Sequence, residues 1–138
     1  MHGATFLRRR QMYLDASLLD TRWEFRRIVT HELFHFAWAR ASNPSRLNWE
    51  QLLVREWRQG ARGELGWSSE WRKAELRGKD VQRRTSQWRE YICESFCDTA
   101  AWALSGVPRH GEFTLAPRFR ARRAEWLVAL VKERGIRI

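Results

Sequence analysis

Apolar side chains recur every three or four positions along the chain at Phe25, Val29, Leu33 and Phe36, the period of a helix with one buried face. Asp20 or Thr21 can cap this helix, Thr21 and Glu24 stand at capping-box spacing, and Asn43-Pro44 stops it near Ala41. A second long pattern covers residues 87–104, opened by Ser86 and ended by Gly106, with Ile92, Phe96, Ala100 and Ala103 as core stripe alongside Cys93 and Cys97. Between the two, Trp49, Leu52, Leu53 and Trp57 describe a helix that starts near Asn48 and closes at Gly60. Glycines 60, 63 and 66 then punctuate a loop, and a short helix over residues 69–76 stops before Gly78. This 45–80 insertion is read either as one wall of a cleft or as a purely structural helical pair. A last helix begins at Pro117, carries Phe119, Trp126, Leu127 and Leu130 on one face and ends at Gly135; Arg118, Arg120, Arg122 and Arg123 are read as its solvated face.

Ahead of these helices the pattern changes. Residues 5–14 alternate loosely, which predicts a strand over 8–14 whose adjacent arginines keep one face wet. It is either an ordinary sheet strand or an edge open to an extended peptide. The expected fold class is α+β, mostly helical, with a small N-terminal β-sheet or hairpin packed on the first long helix. The chain is expected to be a single domain over residues 1–138, because that length buries one core comfortably and two with difficulty.

Polar residues on the two long helices carry the candidate chemistry. Thr30-His31-Glu32-Leu33-Phe34-His35 contains H-E-x-x-H, and on a helix His31 and His35 project from one side onto a single point, as two ligands of a zinc ion do. Glu32 falls at the edge of that face, where it can accept a proton from a water at the metal. Catalytic zinc usually takes three protein ligands. Residues 36–41 lack the Gly and third His of the metzincin extension, and the other histidines are His2, near the terminus, and His110. Glu94 is the better third ligand. Glu94 and Asp98 lie four apart beside an apolar stripe, an expensive arrangement for a helix that only packs. The alternative readings are ordinary histidines on an amphipathic helix, or a metal held without chemistry.

At this point the residues resemble a known class. His31-Glu32-Leu33-Phe34-His35 followed by Glu94-Ser95-Phe96-Cys97-Asp98 resembles the gluzincin zinc metallopeptidases. The resemblance implies a zincin-like fold with an active-site helix and a glutamate helix, Zn2+ as cofactor, and a peptide or protein substrate. It further implies His31, His35 and Glu94 as metal ligands, Glu32 as general base, and Asp98 as hydrogen-bond acceptor for a zinc-binding histidine. Cys93 and Cys97 depart from the thermolysin-like pattern, standing where it has asparagine and serine. The donor for the developing oxyanion is left between Tyr91, one turn before Glu94, and His110, in a loop.

Composition alters this picture little. The net charge of +10 comes almost wholly from arginine, with Lys73, Lys79 and Lys132 as the lysines. The arginines are scattered and form no basic arm, so a nucleic-acid partner with a structural or vestigial metal is the runner-up and is not favoured. A peptidase-fold regulator that cuts or binds one partner is the other alternative. The early arginines interrupt any apolar leader and no run reaches membrane-span length, so a cytoplasmic location and no membrane partner are expected. Cys93 and Cys97, one turn apart, are expected as reduced thiols.

Overall fold

The computed structural model describes residues 2–135. Two short strands, β1 (Gly3–Phe6) and β2 (Gln11–Leu14), form an antiparallel hairpin with Gly3 opposite Leu14 and Phe6 opposite Gln11. A 3-10 turn (Ala16–Asp20) leads into α1 (Arg22–Arg40), followed by α2 (Asn43–Arg58), α3 (Trp67–Glu75), α4 (Gly78–Arg83), α5 (Ser86–Leu104) and α6 (Pro117–Arg134). The fold is mostly helical with one small sheet, as the sequence pattern predicts. Among the described residues, no helix is long and apolar enough to cross a membrane.

Several boundaries differ from the sequence reading, each for a local reason. The strand expected over 8–14 begins only at Gln11, because residues 7–10 turn the chain, with Arg10 in the left-handed region at φ 53°. Its partner β1, Gly-Ala-Thr-Phe, opens on two weak strand formers ahead of Thr5 and Phe6 and is too short to read as a strand without the pairing to β2. Thr21 makes no side-chain capping bond to α1, and Glu24 faces Arg27 and not back along the helix, so neither half of the expected capping box forms. α2 starts at Asn43: the proline that stops α1 sits in the first turn of the next helix, and Ser42 Oγ caps it by accepting the Ser45 N–H at 3.2 Å. α4, six residues long, was not anticipated.

The main core joins Phe34 and Ala37 of α1 to Trp49, Leu52 and Leu53 of α2, Trp88, Ile92, Phe96, Cys97 and Ala100 of α5, and Leu127 of α6. The Trp49 indole N–H donates to the Ile92 carbonyl at 3.1 Å, so this large ring is both packed and satisfied. On α5, Ala103 is exposed and Ala101 takes the buried place expected for it. On α1, Phe25, Val29, Leu33 and Phe36 are only half-buried, while Arg27, His31, Glu32, Phe34 and Ala37 are buried. α1 runs between α5 and the hairpin, and its deepest stripe is the one carrying charge. A smaller cluster of Ala61, Leu65, Val107, Phe113, Leu115 and Phe119 ties the loop before α3 to the loop before α6.

The expected solvated arginine face of α6 is corrected at two positions: Arg120, half-buried and donating to the Leu115 and Phe113 carbonyls, and Arg123. Arg123 is 0% exposed and fills a polar chamber between helices, forking onto Glu56 (2.7 and 2.9 Å) and Glu64 (2.7 and 3.0 Å). Glu64 also accepts from Tyr91, Ser95 (3.3 Å) and Ser69 (3.4 Å). A guanidinium shared by two carboxylates, with hydroxyls on the remaining lone pairs, is the arrangement that lets such charges be buried. These neighbours, Arg123 first among them, outweigh the opposing effect of burial and hold Glu64 down at about 2.

Candidate metal centre

α1 and α5 lie side by side and bring His31, His35 and Glu94 together, one donor atom from each lying within 4.8 Å of the others. His31 Nε2 is 3.0 Å from one Glu94 oxygen and His35 Nε2 is 3.6 Å from the other. A tetrahedral zinc with bonds of about 2.0–2.2 Å to nitrogen and oxygen separates its ligands by roughly 3.3 Å. The two observed spans, one to each Glu94 oxygen, lie near that value, so the donor set suits such an ion in kind and approximately in spacing.

Behind this group the support is polar and complete. Asp98 accepts from His31 Nδ1 at 2.6 Å, and its other oxygen accepts the Ser69 N–H at 3.0 Å and the Ser69 hydroxyl at 2.6 Å. The carboxylate therefore fixes the His31 ring with Nε2 free to ligate. Gly66 makes room for it: a Cβ there would lie 2.3–2.5 Å from the Asp98 carboxyl atoms. Ser69 also reaches toward Glu64, so a continuous polar path leads from His31 through Asp98 and Ser69 to the buried Arg123 ion pairs.

Without metal the site holds protons. Burial pulls the His31 imidazolium down, but its bonds to Asp98 and Glu94 outweigh that and push it up to about 10. For His35 burial is likewise outweighed, by Cys93 and Glu94, and the ring is raised to about 9. Burial would lift Glu94; the two histidines instead hold it well below the usual carboxylate range.

A cleft of about 640 Å³ opens onto the group between β1 and α3. Gly3, Ala4 and Thr5 form one wall, while Trp67, Ser68, Trp71 and Arg72 form the other. Among the described residues β1 pairs only with β2, which leaves its other edge unpaired there. Glu32 lines the cleft under β1, where the Thr5 hydroxyl donates to its carboxylate at 2.5 Å. Across from it, Ser68 Oγ donates to Glu94 at 2.8 Å, and Arg72 holds Ser68 through its carbonyl (3.1 Å) and hydroxyl (2.8 Å). Arg72 lies 3.8 Å from Glu94, and its Nε is buried without a partner among the described residues.

Five of the residues named from sequence therefore meet at one place: His31, Glu32, His35, Glu94 and Asp98. The two proposed oxyanion donors do not. Tyr91 is enclosed, with its hydroxyl on Glu64, and no part of it lines the cleft. His110 stands behind the rim: its Nδ1 accepts the Glu112 N–H at 3.1 Å and its Nε2 faces Glu24. Glu24 and Glu112 are themselves bound to Arg27 at 3.0 and 2.7 Å. Sequence reasoning missed Thr5, Gly66, Ser68, Ser69 and Arg72; the i, i+4 spacing of Ser68 and Arg72 beside Gly66 was the one available signal.

No protein-family model, no curated protein and no solved structure matches the chain. The functional reading therefore stands on the residues and their arrangement.

Proposed function

We propose that this protein is a zinc-dependent metallopeptidase of gluzincin type, a zincin-like domain in which His31, His35 and Glu94 hold the ion. The supporting observation is the convergence of those three side chains beneath an open cleft, with Asp98 seated on the far nitrogen of His31 and Glu32 at the cleft wall. When bound, zinc supplies Lewis acidity toward a peptide carbonyl and a water molecule.

The chain's own residues supply the rest. Glu32 takes a proton from water and returns it to the leaving amine, with Thr5 orienting its carboxylate. Asp98 keeps the His31 proton on Nδ1 and the ring in place. Arg72, across the cleft from Glu32 with its guanidinium Nη2 3.8 Å from Glu94, is the donor to the carbonyl oxygen as charge develops there. An extended peptide is the substrate, laid along the unpaired edge of β1. The cleft supports a peptide over a nucleic acid: Glu24, Glu32, Glu94, Asp98 and Glu112 line it against Arg27 and Arg72, although the whole chain is +10.

Metal content of the purified protein tests this reading. Wild type is expected to carry stoichiometric zinc after dialysis and His35→Ala to lose it. Zinc-free wild type, or undiminished zinc in His35→Ala, would overturn it.

A further inference from the structure

Cys93 and Cys97 have no part in peptide hydrolysis, yet both meet the metal-binding helix. They stand one turn apart on α5, are free thiols, and reach His35 from the side away from Glu94. One donor atom from each of His35, Cys93 and Cys97 lies within 4.8 Å of the other two. The same imidazole thus faces two groups, with Nε2 3.6 Å from Glu94 and Nδ1 3.6 Å from the Cys93 sulfur.

The spacing is that of a ligand pair. Metal bonds of about 2.3 Å to sulfur and about 2.0 Å to nitrogen, at angles between about 109° and 120°, separate the two donors by roughly 3.5–3.7 Å. Two thiolates and one imidazole make a soft donor set, which suits cuprous ion, and zinc also, over hard cations such as magnesium and calcium. Three donors with no fourth in the group suit trigonal cuprous coordination. Cys97 is 0% exposed and Cys93 and His35 are half-buried, so the group is partly shielded from solvent.

We infer that Cys93, Cys97 and the Nδ1 of His35 form a second metal site, suited to cuprous ion, whose occupation is antagonistic to zinc at His31, His35 and Glu94. A neutral imidazole has one lone pair to give, so His35 can serve one ion through Nδ1 or the other through Nε2. Filling the thiol site releases the two thiol protons to solvent and transfers no electron. The thiol site stands on its own geometry; the antagonism rests on the zinc reading above, and by linkage each ion weakens the other equally.

The test is anaerobic transfer of cuprous ion from its bicinchoninate complex, followed by loss of the complex's colour, with zinc release read in parallel. Wild type is expected to take up stoichiometric copper and release its zinc, whereas Cys93→Ser/Cys97→Ala takes no copper and keeps zinc. Cys93→Ser alone, at the half-buried position, lowers copper affinity at least tenfold, which covers any disturbance of the core by Cys97→Ala. Glu94→Gln, which damages only the zinc site, still takes copper. Copper left on the chelator by wild type, or taken equally by the cysteine variants, overturns the site. Copper bound with zinc retained overturns the antagonism. Wild type that carries no zinc but still takes copper would remove the peptidase reading and leave the thiol site standing.

Discussion

Asp98→Asn isolates the support of the metal from the metal ligands themselves. The native carboxylate accepts on both sides, from His31 Nδ1 at 2.6 Å and from the Ser69 N–H and hydroxyl at 3.0 and 2.6 Å. A carboxamide of the same shape can accept on one side only. If its oxygen faces His31, the amide N–H of Ser69 is left against an NH2 group. If its oxygen faces Ser69, the NH2 group demands a lone pair from His31 Nδ1, which moves the ring proton to Nε2 and blocks the ligand. Either way a buried polar pairing is lost, costing about 1–3 kcal/mol, or roughly 5- to 150-fold in affinity. Competition against a chromophoric zinc chelator at fixed pH measures this directly, with circular dichroism confirming the fold. Zinc held by Asp98→Asn as tightly as by wild type would refute the claim that Asp98 acts through His31.

Glu32→Gln is expected to keep stoichiometric zinc and lose peptide hydrolysis on any substrate the wild type cleaves; full turnover would exclude it as the base. Arg72→Met is expected to retain zinc and to lower kcat more than it raises KM, on the order of a hundredfold, by removing a donor to the oxyanion; an effect on KM alone would assign Arg72 to substrate binding. With His31 raised to about 10 and His35 to about 9, both rings are charged at pH 7 in the zinc-free protein, so zinc uptake there releases close to two protons. Calorimetric titration in buffers of different ionisation enthalpy reads that number, and buffer-independent heats would contradict it. Those raised histidines stabilise the zinc-free fold fully below their unfolded value of 6.5 and lose that contribution as pH rises through about 9–10, so the melting temperature of the zinc-free protein, read by circular dichroism, is expected to fall across that range. Glu64 has the opposite sign: held at about 2 against an ordinary 4.5, it contributes stability above 4.5 that disappears as pH falls toward 2. Arg123→Met, which removes both guanidinium bonds to Glu56 and leaves Glu64 facing Lys73 at 3.6 Å, is expected to cost roughly 3–5 kcal/mol in urea unfolding.

The parts of the molecule that declared themselves in the sequence are those governed by local spacing. His31, His35, Glu94 and Asp98 are fixed by helical periods of four, and once two helices lie side by side their meeting follows. The strand pair was half legible: β2 carries Met12, Tyr13 and Leu14, whereas β1 has no alternation and exists because β2 and α1 cover it. The buried face of α1 was misread because apolar periodicity marks Phe25, Val29, Leu33 and Phe36, while the fold spends its deepest contacts on a polar stripe. Such a stripe is stable only with partners supplied from distant segments, Asp98 and Glu94 for His31 and Glu112 for Arg27. Arg123 stands four residues from both Phe119 and Leu127, in the middle of the apolar face, which sets it apart from Arg122; what the sequence did not show was the tertiary placement of Glu56 and Glu64 that lets it be buried there.

The Arg123 fork also sets a lower limit on how far the chain can be trimmed. A fragment ending after α5 would retain every residue assigned to zinc and to catalysis, yet it would lose the guanidinium that two enclosed glutamates share, leaving Glu64 with Lys73 at 3.6 Å and Glu56 with no ion pair among the described residues. Such a fragment is expected to emerge as an aggregate. A designer seeking the shortest working hydrolase from this scaffold would have to carry α6 along or replace Glu56 and Glu64 with apolar side chains first.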